Sequence, residues 1–362
     1  MEKSNIISEK RKRENDLKGL EEETPNFVFC KNLVEDSFMD LGTDNTFAIF
    51  NTFNNTFCLI YSNRSKSIIS YDIIDNKKKI EIKNAHKNYI TSFEHISDTE
   101  KKRDLLISAS AKENNLKLWN VDNFDCLHEF KKNNNNKLLN LFCFLFNDNS
   151  IYIVRSGNKD FPIQVYDMNE NKIKDIEGSN HKINVLSAYN NKARNKTYIL
   201  AINDKIIKAY DYSLNELYNE YSSNVKERIN SICIDENKLI GLCYGGYILI
   251  WDFLNSILLE EIRPYKSPLY GIFLLNNDNL CFGHKKNIKI INLKSKKIST
   301  LNHSHDKEVI AINKINHPIY GECLVSQGDQ QDKIKLWIKE KKIQNISIVN
   351  KKCKNDNSLK NS

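Results

Sequence analysis

Short apolar runs, cut by Asn, Asp, Thr, Gly and Ser, dominate the chain from Asn26 onward. One of them, YILIWD (247–252), stops abruptly on Trp251-Asp252. Runs of this length without helical periodicity or helix caps predict β-strands. The same kind of run returns as IISYD (68–72), LKLWN (116–120), IQVYD (163–167), IKAYD (207–211), IKIIN (288–292) and IKLWI (334–338). The anchors Tyr71, Trp119, Tyr166, Tyr210, Trp251, Ile291 and Trp337 are separated by 48, 47, 44, 41, 40 and 46 residues. Seven registered copies at a near-constant interval predict a repeat array.

Each interval carries further strand candidates in the same order. Trp119 is followed by CLHEF (126–130), LNLFCFLF (139–146) and SIYIVRS (150–156), and Tyr166 by KIKDI, NVLSAY and TYILAI. Four short strands per unit make the chain all-β. One four-stranded unit cannot bury both of its faces, so neighbours must stack, and seven units suit a closed seven-bladed β-propeller. Two runs are available to complete its last sheet: QNISIV (344–349), or NFVFC (26–30) from the other end. SFMDLG (37–42), FAIFN (47–51) and FCLIYS (57–62) are further strand candidates, shared between the first unit and the last.

Composition changes this picture only at its edges. With 362 residues, 40% hydrophobic and 28% charged, the chain has a soluble globular balance. The propeller is expected over 25–350, with a charged tail (1–24) and a Lys/Asn-rich tail (351–362) expected to be disordered. No apolar run approaches the roughly 20 residues that span a bilayer, and the N-terminus does not read as a secretory signal. Nine cysteines, an odd number without a Cys-x-x-Cys, fall partly inside strand patterns such as LNLFCFLF and SICID. That usage fits reduced core thiols in the cytosol or the nucleus.

The net charge of +8 arises from 54 basic and 46 acidic groups, mostly interspersed. Lys, Asn and Ile are all abundant, and a genome rich in A and T accounts for much of the basicity. KRKR at 10–13 matches a nuclear-import pattern. Together with the Lys-rich tail it motivates an alternative function as a component of a nuclear ribonucleoprotein or RNA-processing complex.

The repeated Trp-Asp ending resembles that of the WD-repeat family of β-propellers over roughly residues 45–350. The histidine of that family's Gly-His pair is kept in Ala85-His86, Asn180-His181 and Ser304-His305. The resemblance implies a His–Ser–Asp–Trp hydrogen-bond network inside a blade. Its best copy is His305, Ser326, Asp329 or Asp332, and Trp337. A second copy is His86, Ser108 and Trp119, with Glu113 or Asn114 at the Asp position. Only Trp251-Asp252 retains the full dipeptide, and the units anchored at Trp119, Ile291 and Trp337 lack the Asp.

Candidate chemistry is sparse. No phosphate-cradling glycine loop and no nucleophile elbow occurs, and Gly245-Gly246 reads as a tight turn between strands. No catalytic residue, cofactor site or metal site is assigned; an enzyme working in the central channel remains a third reading. Function then falls to the rims. Tyr89, Asn184, Arg228 and Glu308 stand just before first strands and project at one end of the channel, with Tyr89 and Arg228 as leading anchors. The expected function is a non-enzymatic scaffold or adaptor that binds protein or peptide partners within a multiprotein complex. Nucleic acid is a less favoured partner, and no membrane span is expected.

Overall fold

The computed structural model describes residues 25–34, 47–54, 56–62, 66–110, 115–130, 142–156, 162–177, 179, 183–329 and 333–340. Both tails, KRKR, SFMDLG, QNISIV, Glu113, Asn114, His181 and Asp332 lie outside the described residues. β1 (Phe27–Val34) comes first in the chain. Blade 1 is β2 (Ala48–Asn51), β3 (Phe57–Ser62), β4 (Ile68–Asp72) and β5 (Lys77–Ile82). Blade 2 is β6 (Ile90–Asp98), β7 (Arg103–Ser110), β8 (Asn115–Asn120) and β9 (Cys126–Phe130). Blade 3 is β10 (Phe142–Asn147), β11 (Ser150–Arg155), β12 (Ile163–Tyr166) and β13 (Lys172–Ile176). Blade 4 is β14 (Val185–Asn191), β15 (Lys196–Asn203), β16 (Ile206–Asp211) and β17 (Glu216–Tyr221). Blade 5 is β18 (Ile229–Asp235), β19 (Lys238–Cys243), β20 (Ile248–Asp252) and β21 (Leu258–Ile262). Blade 6 is β22 (Tyr270–Asn276), β23 (Asn279–His284), β24 (Asn287–Asn292) and β25 (Ile298–Leu301). The last three strands are β26 (Val309–His317), β27 (Gly321–Gly328) and β28 (Ile334–Lys339).

The first strands of successive blades touch in a closed cycle: β2, β6, β10, β14, β18, β22, β26 and back to β2. This is a seven-bladed propeller, and its core is divided among the seven gaps between blades. Alternation along β7 shows why. Leu105, Ile107 and Ala109 pack toward Phe142, Phe144 and Ile153 of blade 3, whereas Leu106 packs toward Ile60 of blade 1. A strand covered on both faces must be apolar at successive positions, so these runs read as continuous rather than alternating. Each fully buried Leu or Ile contributes about 1.5–3 kcal/mol, and a middle strand supplies several. Among the described cysteines, Cys58, Cys143, Cys243, Cys281 and Cys323 are buried and none is in a disulfide.

The ring is closed from the N-terminus. β1 pairs antiparallel with β28, from Phe27 opposite Lys339 to Val34 opposite Ile334, and so becomes the outer strand of blade 7. Phe27 is buried between blades 6 and 7, and Leu33 between blades 7 and 1. Phe29 meets the Trp337 ring edge to face at 5.6 Å. NFVFC is therefore the closing strand, and FAIFN and FCLIYS belong to blade 1.

Six blades turn between their third and fourth strands on the same kind of side-chain bond. Asp252 Oδ1 accepts the backbone N–H of Leu254 at 2.8 Å and of Asn255 at 3.0 Å. Asp72 and Asp211 make the corresponding pair of bonds. Asn292 makes them with Lys294 and Ser295, Asn120 bonds Asp122, and Asp167 bonds Asn169 and Asn171. This is an Asx turn, and it requires only a side-chain carbonyl or carboxylate oxygen three bonds from Cα. Asn292 thus stands in fully, and Asn120 with one of the two bonds, for the Asp that the Trp-Asp pattern suggests. Blade 7 has Ile338 there because β1, coming from elsewhere in the chain, removes the need for a turn.

Candidate functional site

The His–Ser–Trp part of two of the expected polar networks forms inside blades. His86 Nε2 lies 2.7 Å from Ser108 Oγ, which also accepts the Trp119 indole N–H at 2.8 Å. His305 Nε2 and Trp337 Nε1 meet Ser326 Oγ at 2.7 and 2.8 Å. In each case a lysine two residues before the Trp bonds the carbonyl just ahead of the His: Lys117 to Ala85 and Lys335 to Ser304. Burial, with the Lys117 charge adding, pushes His86 down to about 3, so it is neutral at physiological pH. Asp329 is buried at the turn after β27, where its N–H donates to the Glu308 carbonyl at 2.7 Å. These groups hold blades in register and face no solvent, as buried polar groups that find partners do.

Blade 5, which keeps the full dipeptide, has lost the network. Gly241 sits at the Ser108 position, and Val225 at the His86 position. Trp251 is fully buried, lies over Gly241, and donates its indole N–H to the Ser222 carbonyl at 3.0 Å. A bare Cα and an apolar side chain thus stand together where blades 2 and 7 have Ser and His, and no hydroxyl is left orphaned there. Trp251 and Asp252 are structural.

First strands all begin at one end of the ring, here called the upper rim. The loops that lead into them share that rim with the turns between second and third strands. Tyr89, Asn184, Arg228 and Glu308 each immediately precede a first strand, so all four lie on it. The structure gathers only two of them into one neighbourhood. Arg228 Nε pairs with Asp204 Oδ1 of blade 4 at 2.9 Å, and its guanidinium lies 5.9 Å from the Tyr244 ring centroid. Tyr244, 39% exposed, meets Tyr270 edge to face at 6.1 Å. Burial and then the Glu308 charge push the Tyr270 phenol up to about 12, with Tyr244 and Asp329 adding. Asp204, Arg228, Tyr244, Tyr270 and Glu308 therefore form a row across blades 4 to 7. Tyr89, 40% exposed, stands on blade 2, away from this row. Asn184 donates its N–H to the Ile202 carbonyl within its own blade.

Loop 263–269 extends the row into blade 6. The Arg263 guanidinium lies 4.4 Å from the Tyr247 centroid, and its Nε donates to the Gly245 carbonyl. Tyr265 stacks on His284 at 3.8 Å, and Lys289 Nζ lies 5.4 Å from the Tyr265 centroid. The Gly245-Gly246 turn makes this approach feasible: Gly246 has φ 81°, and a Cβ there would run into the Tyr265 carbonyl. Sequence reasoning found the turn but missed Tyr244, Tyr265 and Tyr270. Their only linear signal is an aromatic beside the glycine pair and another between two prolines; that they meet is decided by blade adjacency.

On β6, the first strand of blade 2, burial pushes the Glu94 carboxyl up to about 7. Among the described residues no group of three or more His, Cys, Asp or Glu is arranged to hold a metal ion, and no helix is long and apolar enough to cross a membrane. Comparison with known protein families and with curated proteins gives no match, so the fold and the geometry of this rim carry the functional reading.

Proposed function

We propose that the chain is a divergent WD-repeat propeller that works as a non-enzymatic scaffold in the cytosol or nucleus. In this reading it binds a protein partner on the upper rim over blades 4 to 6. One observation carries the proposal: Arg228 and Tyr244, exposed on two loops of blade 5, converge on the rim with the half-buried Tyr270 at the start of β22 in blade 6. Arg and Tyr are the side chains that anchor protein interfaces, since each offers a large rigid face together with a polar end. A closed ring adds preorganisation, because the loops need little ordering on binding. The ribonucleoprotein alternative draws on KRKR and the Lys-rich tail, which lie outside the described residues.

The test is affinity purification with mass spectrometry at native expression, comparing wild type with Arg228→Ala/Tyr244→Ala. Specific partners retained by wild type and lost by the double variant are expected. An identical partner set for both, or none for wild type, contradicts the proposal.

A further inference from the structure

Several lysines on the lower rim are matched by carboxylates. Lys77 pairs with Asp75 at 3.0 Å, Lys196 with Asp211 at 2.7 Å and Lys294 with Asp278 at 2.6 Å, and Lys296 meets Glu260. The upper corner of blade 6 is different. Arg263 and Lys266 lie on loop 263–269, Lys285 and Lys286 on the turn between β23 and β24, and Lys289 on β24. Among the described residues none of these five forms an ion pair with a carboxylate.

Aromatic rings hold two of these cations instead. Arg263 lies over Tyr247 and Lys289 over Tyr265, each in cation–π geometry. Lys289 Nζ is further fixed by Thr300 Oγ1 at 2.8 Å. Beneath them Ser267 Oγ and His284 Nε2 share a hydrogen bond of 2.8 Å. The corner's positive field reaches this histidine: burial first, then Lys289 and Lys285, push its pKa down to about 4. A ring fixes a cation without neutralising it, whereas a carboxylate does both. Such fixed, uncompensated charge is suited to an anionic group brought by another molecule.

The surroundings limit how long that anion is. Glu227 and Glu261 lie on the blade 5 side, both close enough to Cys243 to raise its thiol pKa. Glu308 and Asp329 lie on the blade 7 side, where both act on Tyr270. A nucleic-acid strand needs a continuous basic track along its phosphates, and here carboxylates interrupt the track on both sides.

We propose that this corner, where loop 263–269 meets turn 284–287, binds a short run of aspartate or glutamate side chains on the protein partner. The inference rests on the rim reading above and names the chemistry of that partner. Loop and turn are held in place before binding, and neighbouring Tyr244 and Tyr270 supply apolar faces for residues flanking the acidic run.

The experiment titrates the full chain with three fluorescein-labelled probes: a Glu-rich decapeptide, its Lys-rich counterpart, and a single-stranded oligonucleotide of equal charge. The Glu peptide is expected to bind most tightly, and to weaken as salt rises. Lys285→Glu/Lys286→Glu should bind it about tenfold more weakly, whereas the lower-rim control Lys294→Glu/Lys296→Glu should bind it as wild type does. Binding should also raise the His284 pKa, read from its ring proton shifts. Lys285→Gln/Lys286→Gln serves with the same readout if the charge reversal fails to fold. Tighter binding of the oligonucleotide, no preference for Glu over Lys, or equal losses on the two rims would overturn the inference. Should those results appear while Arg228→Ala/Tyr244→Ala still loses its partners, the acidic-partner inference falls and the binding rim stands.

Discussion

The two rims of one ring are built on different rules. On the lower rim, six blades repeat one device: an Asp or Asn after the third strand caps the next turn through its Oδ1. Lysines beside these turns are matched by carboxylates, as Lys79 is by Asp72 and Lys196 by Asp211. On the upper rim the loops differ from blade to blade. Arg228 and Arg263 lie against tyrosine rings, and Arg263, Lys266, Lys285, Lys286 and Lys289 at the upper corner of blade 6 carry no ion pair among the described residues. Repetition marks what every blade needs in order to fold. Departure from repetition, with cations left without carboxylates at one corner, is what the proposed binding face would need.

The lower rim has one gap, at blade 7, and it offers the largest effect. There Ile338 replaces the Asx residue and β1 replaces the missing fourth strand. Deleting residues 25–34 exposes the pockets of Phe27 and Leu33 and unpairs β28, so urea unfolding should show a loss on the order of 5 kcal/mol or an outright failure to fold. Deleting 344–349 should change stability little, because β28 already has a partner on each side. Equal effects would mean that the closing strand has been misassigned.

The next effect shows that the upper rim also has structure beneath its binding surface. Ser326→Ala leaves both His305 Nε2 and Trp337 Nε1 without the hydroxyl they share, and should cost about 2–3 kcal/mol in denaturant unfolding. Arg228→Ala, on the surface above, should change stability by no more than about 0.5 kcal/mol. A comparable loss from both would erase the distinction between network and rim.

Acid sharpens the same division. The unfolded chain protonates His86 near its ordinary value of 6.5, the folded chain only near about 3. Folding therefore expels this proton between those values. The stability it contributes is complete above 6.5 and is lost progressively as pH falls toward 3, by about 2 kcal/mol at pH 5. His86→Gln should be less stable at pH 7 but show a flatter profile from pH 6.5 to 4. Lower down, Asp104 adds a second acid-labile contact. Burial opposes its ionisation, yet bonds from His95, the Phe53 N–H and Ser97 hold its carboxyl below the ordinary range. That part is present above pH 3.8 and is lost below it.

The smallest effect tests the turn chemistry. Asp252→Ala removes two backbone acceptor bonds and should cost about 1 kcal/mol. Asn120→Asp keeps the acceptor and should stay within about 0.5 kcal/mol. If Asn120→Asp stabilised by much more, charge rather than the Asx bond would govern these turns.

Most of the fold was legible because its cause is local and repeated. Anchor spacing counted the blades, and continuous apolar runs marked strands covered on both faces. The His–Ser–Trp copies at 86/108/119 and 305/326/337 stood in register on the chain, and both form. Two features were harder to read. The units anchored at Trp119, Ile291 and Trp337 lack the Asp on the chain; only the turn geometry shows that Asn serves in the first two, and only the pairing of β1 accounts for Ile338 in the third. The rim was least legible. Arg228 and Glu308 follow from position in the repeat, but their neighbours Tyr244 and Tyr270 follow from which loops lie side by side across a blade gap. Tyr89, an exposed aromatic at the same repeat position, is placed on a different arc of the ring.

The central claim is that partners are read by the upper rim while the lower rim only folds. Hydrogen exchange of the full chain, alone and bound to its purified partner, tests it most directly. The account predicts slowed exchange confined to turn 243–247, loop 263–269, turn 284–287 and the residues around Arg228. Protection centred on the Asx turns of the lower rim, with those upper segments unchanged, would contradict it.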